Sequence, residues 1–230
     1  LSGRTEKLQL YGPEQLADVI KFYSDYFVDD PSYEMECIPV KTDSRCVIYS
    51  DSELKVEAFP LYHCKETYGY IFSENEPPIN VIKEKIAEEN LTVEEILALK
   101  AGKNVKRGDR ELQNGDFTYI PYTPRSFAYC CDTAANPKVA QEVAGVDLLY
   151  HEATFSNEFE EIAESRFHST AAQAAQIAKS AKVGKLVIGH YSSRYYDSSL
   201  LLAQAREVFA ETYAAETGME FEVPLIKNSI

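Results

Sequence analysis

Four apolar runs in this 230-residue chain each end on a side chain able to hold a metal or move a proton: VEAFPLYH on His63, RSFAYCCD on Asp132, DLLYHE on His151 and Glu152, and KLVIGH on His190. Short runs rich in β-branched and aromatic residues read as buried strands. Proteins of α/β class set their chemistry in the loops just past strand ends, where a rigid sheet fixes side-chain geometry. The pattern therefore predicts polar chelators converging on one edge of a sheet. Of only four histidines, three stand at such ends, and the fourth, His168, sits in FHST at the mouth of a predicted helix.

With 45% hydrophobic residues and no Pro/Gly/Ser-rich linker, the expectation is a single domain over residues 1–230 with a sizeable core. No apolar run reaches the roughly eighteen residues a membrane helix needs, and no charged-then-apolar leader is seen, so a cytoplasmic protein without a membrane span is expected. The chain opens on Leu1 rather than Met and is read as a piece of a longer protein. Five cysteines, Cys37, Cys46, Cys64, Cys130 and Cys131, are odd in number and lack CxxC spacing, which fits reduced thiols packed as small hydrophobes.

A net charge of −14 opposes indiscriminate binding to nucleic acid or anionic membrane. It does not forbid a local basic site. The segment KAGKNVKRGDR, from Lys100 to Arg110, carries five positive charges against one negative, and reads either as a solvated loop or as a phosphate-contacting arm.

Coarse patterning gives a strand (KLQLYG), a helix opened by Pro13 and ending near Val28, three strands over 33–63, and a further strand at YGYIF stopped by Pro77 and Pro78. Two short helices are expected at 79–89 and 92–100, the second entered through a Thr92/Glu95 capping box. Strands and helices then alternate: RSFAYCCD, PKVAQEVA, DLLYHE, a helix at 170–181, KLVIGH and a last helix at 198–213. Such alternation argues for an α/β layered domain. The helix at 170–181, with alanines at 171, 174, 175 and 178, is read as packing.

Neutral imidazole and carboxylate suit zinc or a similar divalent ion, and one carboxylate can bridge two cations in phosphoester hydrolysis. His63, Asp132 and His190 alone are too few to close two sites. Each histidine taken singly also reads as a hydrogen-bonded core residue.

The stretch 126–196, with CCDT, DLLYHEATF, FHSTAAQAAQIAKSA and LVIGHYSSRY in order, closely resembles ribonuclease Z, the tRNA 3′-processing endonuclease of the metallo-β-lactamase superfamily. LSGRTEKLQLYGPEQL and PLYHCKETYGY extend the likeness upstream, with 74–115 matched only loosely. The resemblance implies an αββα metallo-β-lactamase-like sandwich lacking its first strands, two divalent ions with zinc the expected metal, and cleavage of 3′ trailers from precursor tRNA by a homodimer. It implies His63 on one metal, Asp132 as the bridge and His190 on the other. Glu152 would orient His168, which donates a proton to the leaving 3′-oxygen; a carboxylate stabilises imidazolium and makes it an available acid. The competing reading is a structural His168 beside a helix cap at Ser169 or Thr170. Ser192, Arg194 and Tyr195 resemble the family's phosphate-contacting group, with stacking as the plainer role for Arg194. His151 receives no catalytic role.

Two departures accompany the likeness. The family's HxHxDH motif, which carries most metal ligands and the general-base aspartate, is expected upstream of Leu1, and activity is expected to need it. The basic segment at the family's tRNA-clasping arm, an insertion at about 74–115, lacks a Gly-Pro pair, yet Lys100, Lys103, Lys106 and Arg107 remain to grip RNA backbone. Two other readings stay open: another phosphodiesterase of the superfamily acting on small cyclic or nucleotide substrates, and a non-catalytic RNA-binding or dimerisation module that has lost its metals.

Overall fold

A computed structural model describes residues 3–27 and 32–228. The opening strand β1 (Leu8–Gly12) leads into α1 (Leu16–Phe27) and pairs in parallel with β2 (Met35–Pro39). Val28, near which the first helix was expected to end, lies outside the described residues. Next come β3 (Cys46–Ser50), β4 (Leu54–Pro60) and β5 (Tyr68–Glu74). At Gly69 a Cβ would overlap the Phe59 ring, so the absence of a side chain is what lets β4 and β5 close over that buried phenylalanine.

The chain then enters a stretch of shorter elements: β6 (Asn80–Val81), α2 (Lys83–Glu88), α3 (Val93–Lys100), β7 (Val105–Arg107), β8 (Arg110–Leu112), α4 (Asn114–Phe117) and β9 (Thr118–Tyr119). Thr92 and Glu95 form the expected capping box at the start of α3. The basic segment is not a loop throughout. Val105–Arg107 and Arg110–Leu112 make an antiparallel hairpin, turned at Gly108, whose φ of +60° suits a residue without a Cβ. These elements, Glu74–Arg125, with Glu222–Ile230 form one compact unit with its own core of Val81, Leu91, Leu99, Val105, Leu112 and Phe117.

The other unit comprises Leu1–Ser73 and Ser126–Phe221. Its later elements are β10 (Ser126–Cys130), α5 (Pro137–Glu142), β11 (Leu148–Glu152), α6 (Glu160–Ser165), α7 (Ala171–Ala181), β12 (Lys185–Gly189), α8 (Ser199–Val208) and β13 (Thr212–Ala214). The last helix was expected to run to 213. It stops at Val208, and Thr212–Ala214 instead adds a strand parallel to β12, so the backbone groups of that edge are paired. A seven-stranded sheet in the order β13-β12-β11-β10-β5-β4-β3 results, with β10 to β13 parallel and β5 antiparallel to β10.

One face of this sheet is dry. Ala171, Ala174, Ala175, Ala178 and Ala181 of α7 are all buried against a cluster that includes Leu149, Leu186 and Ile188, and α5 and α8 contribute Val139, Leu201 and Ala205. Small side chains at i, i+3, i+4 and i+7 let a helix lie close to a sheet and leave no room for larger ones. That packing fixes the ends of β10, β11 and β12 relative to one another. All five cysteines are free thiols.

Candidate metal centre and proton-transfer pair

Because β10, β11 and β12 are parallel neighbours, their C-terminal ends share one edge, with Cys130 opposite His151 and Glu152 opposite Gly189. Asp132 lies two residues past β10, Glu152 is the last residue of β11, and His190 directly follows β12. Gly189 is required here, since a Cβ would overlap the Tyr150 hydroxyl. His190 then takes a left-handed backbone, φ 60°, which non-glycine residues rarely adopt outside functional turns. The loop bearing His63 is tied to the loop bearing Asp132: the Ala134 amide donates to the Tyr62 carbonyl at 2.8 Å, and the Tyr62 amide to Thr133 Oγ1 at 3.1 Å.

Glu152 is fully buried, and its two carboxylate oxygens accept from Thr133 N (2.9 Å), His168 Nδ1 (2.7 Å), Thr154 N (3.1 Å), Thr154 Oγ1 (2.7 Å) and Ser169 N (3.1 Å). With every lone-pair direction taken, this carboxylate orients its neighbours and has nothing left to offer a cation. His168 reaches it from just before α7, whose cap is a Thr170/Gln173 capping box. A parallel bridge between Phe155 and Thr170 fastens the loop after β11 to the start of that helix.

The three exposed-side imidazoles share one arrangement. His63 Nδ1 donates to the Phe167 carbonyl at 3.0 Å, and His168 Nδ1 donates to Glu152. His190 Nδ1 donates to Thr154 Oγ1 at 2.8 Å, because the single hydroxyl proton of Thr154 goes to Glu152. Each ring is thereby held in the tautomer whose Nε2 carries a bare lone pair. His190 Nε2 faces Asp132 Oδ1 at 3.3 Å, so two lone pairs point at each other unless a cation or proton lies between them. Ligand atoms of Asp132, Glu152, His168 and His190 all lie within 4.8 Å of one another. Since Glu152 is saturated, Asp132 and the Nε2 atoms of His190 and His168 are the open donors of that group. These residues fit a divalent ion.

His63 is not part of that four-residue group. It flanks His168, ring centroids 5.2 Å apart, with His190 on another side at 5.4 Å. Exposure rises outward, from none at the Glu152 side chain through 17% at His168 to 46% at His190, so the open ring nitrogens face a cleft.

Other residues singled out in the sequence fall elsewhere. Tyr195 is not available as a phosphate donor: its hydroxyl accepts from Ser156 N at 2.7 Å and donates to Ser156 Oγ at 3.0 Å, bracing the loop. Arg194 lies over the rings of Phe155 (4.9 Å) and Phe159 (4.5 Å) and donates through Nε to Ser192 Oγ (3.1 Å). Its stacking partners are phenylalanines rather than the adjacent tyrosines. Arg107 is committed inside its own unit, forked onto Glu95 at 2.7 and 2.6 Å, while Lys100, Lys103 and Lys106 are exposed and carry no ion pair among the described residues. His151 is fully buried, with Nδ1 donating to the Glu152 carbonyl at 2.7 Å, and burial pushes its imidazole below the ordinary range, so it stays neutral. Thr154, which joins His190 to Glu152, was not picked out from sequence; only its place in HEAT marks it.

A family described as a β-lactamase superfamily domain matches residues 65–191. Ribonuclease Z of Phocaeicola vulgatus is 34% identical over 226 residues, covering 98% of this chain and 73% of the relative. The chain belongs to the ribonuclease Z family. Ribonuclease Z of Parabacteroides distasonis is 35% identical over 222 residues, 96% of this chain and 73% of that protein. Among solved structures, the short form of human tRNase Z superposes with a TM-score of 0.61 at 18% identity, over 95% of this chain and 68% of that one. The metallo-β-lactamase fold protein YhfI from Bacillus subtilis gives 0.60 at 16% identity, over 96% and 68%. The fold is thus that of the metallo-β-lactamase superfamily, and the ribonuclease Z relatives make the chain a hydrolytic nuclease of it. No helix among the described residues is long and apolar enough to cross a membrane.

Proposed function

We propose that the chain carries the metal centre and proton donor of an endoribonuclease that cuts 3′ trailers from precursor tRNA, using two divalent ions, zinc for preference. The observation that carries this reading is the set of three imidazoles anchored through Nδ1 beside an uncommitted aspartate, in a chain of the ribonuclease Z family. Asp132 and His190 would hold one ion, with Asp132 shared toward a second ion at His63. Mixed imidazole and carboxylate donors suit zinc. Bound there, divalent ions supply Lewis-acid charge neutralisation at the phosphate and activation of water.

The residues of this chain do the rest. His168, oriented by Glu152 through Nδ1, takes up a solvent proton on Nε2 to become imidazolium and hands that proton to the departing 3′-oxygen as the P–O3′ bond breaks and a water oxygen joins phosphorus. The tRNA leaves with a 3′-hydroxyl and the trailer with a 5′-phosphate. Thr154 keeps His190 and Glu152 in register. Arg194, fixed flat on Phe155 and Phe159, presents its Nη groups to the substrate backbone, and Ser192 holds it there. Lys100, Lys103 and Lys106 add phosphate contacts that give affinity without sequence reading.

Precursor tRNA is the partner of this reading, a homodimer its assembly and the cytoplasm its place. Support for the dimer comes from α1, where Phe22, Tyr23, Tyr26 and Phe27 are all more than half exposed. The test is incubation of the protein with 3′-extended tRNA and zinc or manganese, with both new ends mapped. A 3′-hydroxyl on the tRNA is expected; a 2′,3′-cyclic phosphate, or faster cleavage of cyclic nucleotides than of tRNA, would contradict the reading.

A further inference from the structure

The cleft into which His168 faces extends past the catalytic pair as a concavity of about 630 Å³. That volume is in the range of small-molecule sites. Besides His63 and His168, its lining includes Ile162, Arg166, Phe167 and Arg194.

Helix α6 ends here in a six-to-one turn, His168 N donating to the Ala163 carbonyl at 2.8 Å, with Phe167 in the left-handed position at φ 59°. Glycine is the usual occupant of that position, because any Cβ is strained there. A large ring kept at a strained site points to a use for the ring. Phe167 meets Tyr62 edge to face at 5.7 Å, and Tyr62 is 56% exposed. Ile162, 39% exposed, adds apolar surface in the same cleft. Beside these walls stand two cations, Arg166 and Arg194, with no carboxylate partner among the described residues. Apolar and aromatic walls next to unpaired guanidinium groups suit a nucleoside with its phosphates.

We propose that this cleft is a subsite for the nucleotide whose 3′-oxygen leaves, the unpaired last nucleotide of the mature tRNA. Its base lies against Phe167 and Ile162, and its phosphates meet Arg166 and Arg194. The choice of nucleotide rests on the proposed function: His168 gives its proton to O3′, so the sugar bearing O3′ must lie on the His168 side, where the cleft opens. Unstacked single-stranded bases are held in this way by aromatic and arginine surfaces.

Binding can be read without turnover. Adenosine 3′-monophosphate, adenosine and inorganic phosphate are titrated into the protein by calorimetry and followed by NMR. The nucleotide is expected to bind about tenfold tighter than inorganic phosphate and to shift Ile162 and Phe167 signals. Phe167→Gly removes the ring while relieving the backbone, so it keeps the fold, and it should bring nucleotide affinity down to that of phosphate. Arg166→Gln should weaken both ligands. A nucleotide that binds no better than phosphate, or binds Phe167→Gly as well as wild type, overturns the subsite. A second arm separates this failure from failure of the proposed function. Precursor tRNA lacking the base at its last mature nucleotide should raise KM about tenfold for wild type and leave Phe167→Gly unaffected. Nucleotide binding with no cleavage of any precursor would sink the function and leave the subsite standing, whereas normal cleavage indifferent to that base would do the reverse.

Discussion

Glu152 Oε1 accepts the Nδ1 proton of His168 at 2.7 Å, inside a carboxylate that four further donors already surround. The carboxylate is therefore an orienting group and the imidazole the group it orients. Replacing His168 with Ala should lower turnover by roughly 10²–10⁴ while bound metal is retained. Glu152→Gln leaves a group of equal size but turns an amide toward one of the donors, and should cost about 10–100-fold. Single-turnover cleavage of precursor tRNA with parallel metal analysis checks both. Near-normal turnover of His168→Ala would remove its assignment as proton donor.

The basic hairpin separates into two kinds of cation. Lys100, Lys103 and Lys106 are exposed and have no ion-pair partner among the described residues, whereas Arg107 is forked onto Glu95. Changing the three lysines together to Ala should weaken tRNA binding and reduce the salt dependence of its log affinity by about 2–3, with the fold intact. Arg107→Ala should instead lower the thermal midpoint. An unchanged salt slope in the triple variant would mean that this segment does not touch RNA.

The Arg107 guanidinium, helped by the Thr92 amide, holds the Glu95 carboxyl down at about 2 against its ordinary 4.5. A carboxyl whose folded value is depressed stabilises above its unfolded value, and that stabilisation is lost as pH falls from about 4.5 toward 2. Urea midpoints of wild type and Glu95→Gln should therefore differ at pH 6 and converge near pH 2. An equal gap at both pH values would contradict the coupling.

How much of this could be read beforehand depends on where each interaction is encoded. The strand ends were legible because VEAFP, SFAYC, LLYHE and KLVIG are dense in apolar residues, and polar side chains follow at once. The Thr92/Glu95 box was legible because capping is local in sequence. The strand Thr212–Ala214 was not: three residues after a helical pattern carry no period, and only the open edge of β12 recruits them. The same limit hid the roles of Arg107 and Tyr195, whose partners Glu95 and Ser156 are 12 and 39 residues away. Thr154 looks like any strand-flanking threonine until His190 and Glu152 are placed on either side of it.

Thr154 also gives a graded test of the metal centre. Thr154→Val keeps the shape but removes the acceptor for His190 Nδ1, so metal affinity should fall about 10–100-fold. Competition with a chromogenic chelator measures it. Wild-type affinity would show that His190 needs no such support.

The most direct measurement is metal content by mass spectrometry in wild type, His190→Ala and Asp132→Asn, each with its fold checked by circular dichroism. If Asp132 and His190 are the open donors facing each other at 3.3 Å, both variants lose bound metal and precursor cleavage together. Full metal content in folded His190→Ala would contradict the account.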